Sequence, residues 1–150
     1  MTTTAAGTAL AISAAKPASE DATGYAALTF TEIGNVESIG TIGATTEVVT
    51  FQPLKGAQQK HKGPTNFGSL TPTLAHTDAD AGQTLLRTAA DDTTNKLYSF
   101  KVTYPDGAVR YFGGRVFGYP ENVGAATTML TATPTVEIST RVVKVAAPST

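Results

Sequence analysis

Two arginines stand among aromatic side chains in the segment YPDGAVRYFGGRVFGYP, residues 104–120, and this combination could bind nucleic acid. Aromatic rings stack on bases while basic side chains contact the phosphates, so Arg110 and Arg115 would belong to a binding platform. In a second interpretation, the aromatic residues recur at the spacing of a β-strand because they form a core face. We expect core packing, because a formal net charge of −1 leaves no wider basic surface to support a nucleic-acid platform.

A possible metal site lies in the segment HTDAD, where His76 precedes Asp78 and Asp80. The chain has only two histidines, and the second, His61, is distant in sequence. Both aspartates are also typical of a helix start, where negative charge is favourable. The segment DADAGQT does not match a calcium-binding loop, because its third acidic position and its glycine are misplaced. We therefore expect neither a metal nor another cofactor.

Catalytic signatures are missing from the sequence. It contains no G-x-S-x-G, H-E-x-x-H or phosphate-loop pattern and no cysteine, so thiol nucleophiles and zinc–thiolate sites are excluded. A pair of catalytic carboxylates need not be close in sequence, and that option stays open. We expect a protein that is not an enzyme.

The strongest helix signal covers residues 77–92. Thr77 is the predicted N-cap, and Ala81, Leu85 and Ala89 recur every four residues with Leu86 beside them. Such a narrow apolar stripe indicates a helix that lies on a sheet.

Most of the remaining pattern is that of β-strands. Residues 98–104 alternate between aromatic or aliphatic and polar side chains, and Pro105-Asp106-Gly107 is a turn signal, so residues 97–119 are predicted to form a hairpin. We expect a bulge at Gly113-Gly114. We also expect the two arginines to pair with acidic side chains of the same subunit or of an adjacent one. The predicted core positions of the hairpin are Phe100, Val102, Phe112 and Val116.

A second alternating segment, TTMLTATPTVEIS at residues 127–139, predicts one strand of about 40 Å. Charged residues make up only 15% of the chain, well below the usual quarter. Long, threonine-rich strands with few charges are prone to edge-to-edge pairing. A neighbouring copy of the same chain would cover such edges.

A long polar loop is predicted at residues 55–66, KGAQQKHKGPTN, because this segment has no apolar anchor. Compact domains seldom carry such a loop without a use for it. We expect one domain over residues 1–150, with a flexible N-terminal arm at 1–9 and a short C-terminal tail at 145–150. No secretory signal and no membrane-spanning segment are expected.

The order of these segments resembles that of the tail tube proteins, or major tail proteins, of long-tailed, siphovirus-like phages. The resemblance runs from about residue 24 to residue 140. It rests on YAALTFTEIGNVESIG, TEVVTFQP, KGAQQKHKGPTNFG, DADAGQTLLRTAADD and FKVTYPDGAVRYFGGRVFGY, followed by the alternating strand. It implies a mainly-β fold: a β-sandwich or barrel with one flanking α-helix, a long inter-ring loop and extended terminal arms.

The resemblance also implies a function. Six subunits would form a ring, rings would stack into a hollow tube, and the tube would conduct viral DNA without binding it specifically. The implied partners are further copies of the chain, the tape measure protein and other tail proteins, and the implied location is the virion tail, with assembly in the host cytoplasm. The implied inter-ring loop contains Lys55, Gln58, Gln59, Lys60, His61 and Lys62.

A tube that conducts DNA needs a wall with few basic side chains, because lysines and arginines would retain the phosphates. The candidate face for this lumen consists of Glu37, Glu47, Thr131, Thr133, Thr135 and Glu137. An ordinary solvated strand face explains these residues equally well. A β-rich module that binds carbohydrate or single-stranded nucleic acid is the alternative function.

Overall fold

The computed structural model describes residues 2–148 of the 150-residue chain. Two helices occur in this part of the chain, α1 (Ala22–Ala26) and α2 (Ala81–Asp91). The strands are β1 (Ala9–Ser13), β2 (Thr31–Ile33), β3 (Val36–Ser38), β4 (Thr45–Phe51), β5 (Gln59–Asn66), β6 (Ser69–Leu70), β7 (Thr73–Ala75), β8 (Tyr98–Thr103), β9 (Val109–Gly118), β10 (Glu121–Asn122), β11 (Thr131–Ala132), β12 (Thr135–Ile138) and β13 (Val143–Val145).

The strands form a β-sandwich with α2 on its flank, which is one of the two folds that the resemblance implies. The larger sheet has seven strands. Six of them follow the order β2-β1-β8-β9-β12-β6, and the seventh, β13, pairs with β9. A four-stranded sheet has the order β10-β11-β7-β3, and β4 and β5 form a separate two-stranded sheet. All pairings are antiparallel.

The predicted hairpin is the centre of the core. Phe100 on β8 lies directly opposite Phe112 on β9, and their rings stack with centroids 5.4 Å apart. Val102 and Val116 are also buried, so all four predicted core positions are confirmed. The strand periodicity of the aromatic residues therefore reflects packing within this domain.

The flanking helix starts later than predicted and uses a different face. Its N-cap is Asp80, whose carboxylate accepts a hydrogen bond from the backbone N–H of Gln83. Leu86 and Ala89 are buried as expected, but Leu85 is half-buried and Ala81 is exposed. The prediction of Thr77 as N-cap was wrong because Asp80 supplies a carboxylate three residues nearer to the apolar stripe.

The predicted 40-Å strand is two short strands in different sheets. β11 pairs with β10 and β7 in the smaller sheet, whereas β12 pairs with β9 and β6 in the larger one. Pro134, which lacks an N–H for a ladder, lies between them and marks the crossing. Burial still alternates from residue 131 to residue 138, which is why the sequence resembles one continuous strand.

The predicted bulge at Gly113-Gly114 was also misplaced. β8 and β9 stay in register through both glycines. The irregularity lies between β9 and β12, where Val136 pairs with Val116 but Thr135 pairs with Gly118, leaving Phe117 as the extra residue. Phe117 is 66% exposed, so the bulge turns an aromatic ring towards solvent.

Both predicted termini extend into strands. β1 begins at Ala9, the last residue of the predicted N-terminal arm, and β13 ends at Val145, the first residue of the predicted tail. Met1, Ser149 and Thr150 lie outside the described residues. Within residues 2–148, neither helix has the length and apolar character needed to span a bilayer.

Candidate assembly surface

The candidate functional site is a β-hairpin that stands apart from the sandwich. We call residues 45–66 the arm: β4, the turn 52–58 and β5. Its two strands pair with each other and with no other strand of residues 2–148. Except for Thr46, Pro53 and Gly63, its residues are exposed.

The arm replaces the long loop expected from the sequence. Of the predicted loop residues, Lys55 and Gln58 lie in the turn, whereas Gln59, Lys60, His61 and Lys62 belong to β5. The loop prediction was wrong because β5 contains no large apolar residue, so its strand character comes from pairing with β4. The inter-ring role of these six residues stays a prediction.

The register gives the arm two different faces. Val49 and Phe51 lie opposite His61 and Gln59 on one face, because directly paired residues point to the same side. Val48 and Thr50 lie opposite Lys62 and Lys60 on the other. One face therefore carries Val49 and Phe51 beside two uncharged polar partners, and the other carries Val48 and two lysines.

The arm exposes unusually large apolar side chains. Val48, Val49 and Phe51 are 65%, 49% and 59% exposed, and Leu54 in the turn is fully exposed. Clusters of exposed apolar side chains mark interaction sites on soluble domains. The arm therefore has the properties of a surface that is covered by a partner.

Charge is divided between the arm and the rest of the chain. The arm carries three lysines and one glutamate, a formal net charge of +2, while the remaining residues carry eight basic and eleven acidic side chains, a net charge of −3. The arm and the remainder of the chain therefore carry opposite net charges.

The candidate lumen residues do not form one strand face. Thr131 lies in β11, Thr133 lies between strands, and Thr135 lies in β12, and all three are half-buried. Three exposed glutamates complete the set: Glu37 in β3, Glu47 in β4 and Glu137 in β12. Five of the six residues are distributed over three sheets and the sixth, Thr133, lies outside them, and their assignment to a channel stays a prediction.

The hairpin arginines are held without carboxylates. The Arg110 guanidinium lies 4.9 Å from the centroid of the Tyr104 ring. Arg115 donates from Nε to the Asn95 carbonyl at 2.8 Å and from a terminal nitrogen to the Ser139 hydroxyl at 3.1 Å. Among residues 2–148 neither arginine forms a salt bridge, so the predicted ion pairs within the chain were wrong. Their predicted pairing with acids of an adjacent subunit is untested.

His76 belongs to a polar cluster beside α2. Its Nε2 lies 2.7 Å from a carboxylate oxygen of Asp78 and 3.6 Å from one of Glu121, and its Nδ1 lies 3.2 Å from the Tyr119 hydroxyl. Burial raises the pKa of Tyr119 above its usual value, although Arg87 acts in the opposite direction. In the described part of the chain, no group of three or more potential ligands is arranged to hold a metal ion.

Gln83, which sequence reasoning missed, fixes α2 to the sandwich. Its fully buried side chain accepts from the Thr77 N–H at 2.8 Å and donates to the carbonyls of Gly34 and Ala75, both at 2.9 Å. The Tyr119 hydroxyl donates to the same amide oxygen at 3.4 Å. The sequence gives no sign that Gln83 faces inwards, because it is a polar residue in a helix whose predicted buried stripe is apolar.

Comparison with known structures shows a full-length likeness to a phage-related particle. The chain superposes on a chain of the cryo-EM structure of the anti-feeding prophage baseplate, six-fold symmetrised, with a TM-score of 0.68 and 10% sequence identity. The match covers 98% of this chain and 99% of that chain. No protein-family model and no curated protein matches the sequence. The two chains therefore share a fold from end to end, although few of their residues are identical.

Proposed function

We propose that this chain is a structural protein of a phage tail, specifically the tail tube protein of a long-tailed, siphovirus-like phage. Six copies form a ring, and rings stack into a hollow tube through which viral DNA passes. The observation that carries the proposal is the full-length fold likeness to a chain of a six-fold symmetrised prophage baseplate.

The arm supports the proposal because in the single chain its two strands pair only with each other and its large apolar side chains stay exposed. An isolated two-stranded hairpin is marginal in water, and the arm also exposes Val49, Phe51 and Leu54. Burial of these side chains against the next copy would stabilise both the hairpin and the assembly. The same contacts give the polar residues from Lys55 to Lys62 a place between neighbouring subunits.

The distribution of charge supports passage of DNA. The net negative charge outside the arm repels phosphates, and the three lysines of the arm are neutralised when it lies on an acidic neighbour. In this proposal the tape measure protein and other tail proteins are the further partners. The chain resides in the virion tail after assembly in the host cytoplasm, is not an enzyme, and needs no cofactor.

Assembly of purified protein tests the proposal. Rising concentrations should produce rings and tubes in negative-stain micrographs, with a matching shift in sedimentation. A chain that stays monomeric at high concentration, even with tail components present, contradicts the proposal. A monomer that instead binds oligosaccharides or single-stranded nucleic acid would indicate the alternative binding module.

The double substitution Val49→Ser and Phe51→Ser tests the arm. Val49 and Phe51 are 49% and 59% exposed, so assembly would bury about half of each side chain and contribute about 1.5–3 kcal/mol. The concentration needed for assembly should therefore rise by roughly 10- to 150-fold. Circular dichroism should show an unchanged sandwich. Thr50→Ser, on the other face of the same strand, is the matched control and should assemble normally. Normal tubes from the double variant would exclude the face of Val49 and Phe51 as the contact.

A further inference from the structure

A groove with a volume of about 740 Å³ lies beside the edge of the smaller sheet. Its walls are the N-terminal segment 3–8, the chain from β3 to Ile42, and the β8–β9 turn. Half-buried side chains that pack on the core line it: Val36, Ile39, Ile42 and Tyr104. The groove thus has an apolar floor that the single chain leaves open.

The rim of the groove is acidic. Glu37 and Asp106 line it and are exposed, and none of the residues of the described chain that line it is basic. The turn of the arm has the complementary character, with Leu54 fully exposed and followed by Lys55.

An unpaired strand edge adjoins the same groove. β3 is the last strand of the four-stranded sheet, so one side of its backbone has no strand partner within residues 2–148. Such an edge offers N–H and C=O groups to an incoming extended segment. Apolar floor, acidic rim and open edge all fit a short, basic stretch of chain with one large aliphatic side chain.

We propose that this groove receives the tip of the arm from a second copy of the chain. Leu54 packs on the floor, and Lys55 lies beside Glu37 at the rim. The occupant is a second copy because the tip itself has the matching character: Leu54 suits the apolar floor, Lys55 suits the acidic rim, and within residues 2–148 Leu54 is left fully exposed. A contact between two different surfaces of identical subunits propagates from copy to copy, which builds rings and tubes. This inference rests on the proposed function and names the partner surface of the arm.

Disulfide cross-linking tests the contact directly, because the natural chain contains no cysteine. One preparation carries Lys55→Cys and a second carries Ser38→Cys, at a groove residue of β3. Mixed and oxidised, the two should give a covalent heterodimer, identified by mass. Lys55→Cys mixed with Thr93→Cys is the matched control, since Thr93 is exposed and does not line the groove, and it should give none.

Charge reversal provides the second test. Glu37→Lys alone and Lys55→Glu alone should each weaken assembly about tenfold, and the combination should restore it, because the pair regains opposite charges. Glu20→Lys, an exposed acid outside the groove, should have no effect.

The outcomes separate this inference from the proposed function. If the natural chain forms tubes but residues 55 and 38 do not cross-link, the groove contact alone is overturned. The same holds if the natural chain forms tubes but the double charge reversal does not restore assembly. Cross-linked pairs that never form tubes retain the groove contact and overturn the tube. Monomers with no cross-link overturn both.

Discussion

Replacement of Gln83 by alanine should be among the most destabilising single changes in the body of the protein. The side chain is fully buried and makes three hydrogen bonds of 2.8–2.9 Å to backbone groups of Thr77, Gly34 and Ala75. These groups belong to three different segments: the entry to α2, the β2–β3 connection and the end of β7. Gln83→Ala removes a side chain that is hydrogen-bonded to all three.

The expected magnitude follows from the groups left behind. One N–H and two carbonyls lose their partner, and an unsatisfied buried group costs about 1–3 kcal/mol. Water reaches part of this region, because the hydrogen bonds are only partly buried. The lower limit for each group is therefore appropriate, and the loss should be about 3 kcal/mol. That is a large fraction of the 5–15 kcal/mol typical of a domain.

Urea unfolding followed by far-ultraviolet circular dichroism measures this loss, at a concentration where the chain is monomeric. The midpoint of Gln83→Ala should fall by roughly 1–3 M if the slope is normal. Gln58→Ala is the matched control: it removes the same side chain from an exposed position and should change stability by less than about 0.5 kcal/mol.

A second variant separates lost hydrogen bonds from lost packing. Gln83→Glu keeps the shape but places a carboxylate oxygen against the carbonyls of Gly34 and Ala75. It should be at least as unstable as Gln83→Ala at neutral pH, and protonation of its carboxyl in mild acid should recover part of the loss relative to the natural chain. A Gln83→Ala midpoint equal to that of Gln58→Ala would refute the reasoning.

Two further predictions concern the helix and the hairpin. Leu86→Ala should cost about 2–5 kcal/mol of stability because Leu86 is only 1% exposed. Leu85→Ala should cost less than about 2 kcal/mol because Leu85 is half-buried. Equal urea midpoints for the two variants would mean that the assigned buried face of the helix is wrong. Arg115→Ala should lose about 1–2 kcal/mol of stability, and Arg110→Ala should lose less. The natural chain should bind DNA only weakly in filter-binding assays at low and physiological salt, and neither substitution should change that binding. Salt-sensitive micromolar DNA binding that either substitution abolishes would restore the nucleic-acid platform.

The central hairpin was predictable because its signals are local. Alternating residues from Tyr98 to Tyr104 and the Pro105-Asp106-Gly107 turn define two strands and their connection without knowledge of the remaining chain. The division between β11 and β12 was not predictable in this way. Alternation continues through Pro134, and the two halves differ only in which distant strands they join.

The arm was missed for a different physical reason. β4 has the β-branched and aromatic residues of a strand, but β5 reads QKHKGPTN and contains neither an apolar anchor nor an alternating pattern. Its strand conformation depends on backbone pairing with β4, which a window of sequence does not contain. The polar character that indicated a loop is instead the character of a strand with no core beneath it.

The side chains of the body are buried within the chain, whereas those of the arm are exposed. This difference explains where the sequence predicts the structure correctly. In the body, Phe112, Leu86 and Val136 each find their apolar partners within the same chain, so periodicity reports burial correctly. In the arm, Val49 and Phe51 are at least 49% exposed, and in the proposed assembly another copy would supply the contacts that bury them. A single sequence encodes only one side of such a contact. The low charge content of the chain is one sign of a missing partner, and the excess of positive charge on the arm and of negative charge elsewhere is a second, because it is a property of both sides at once.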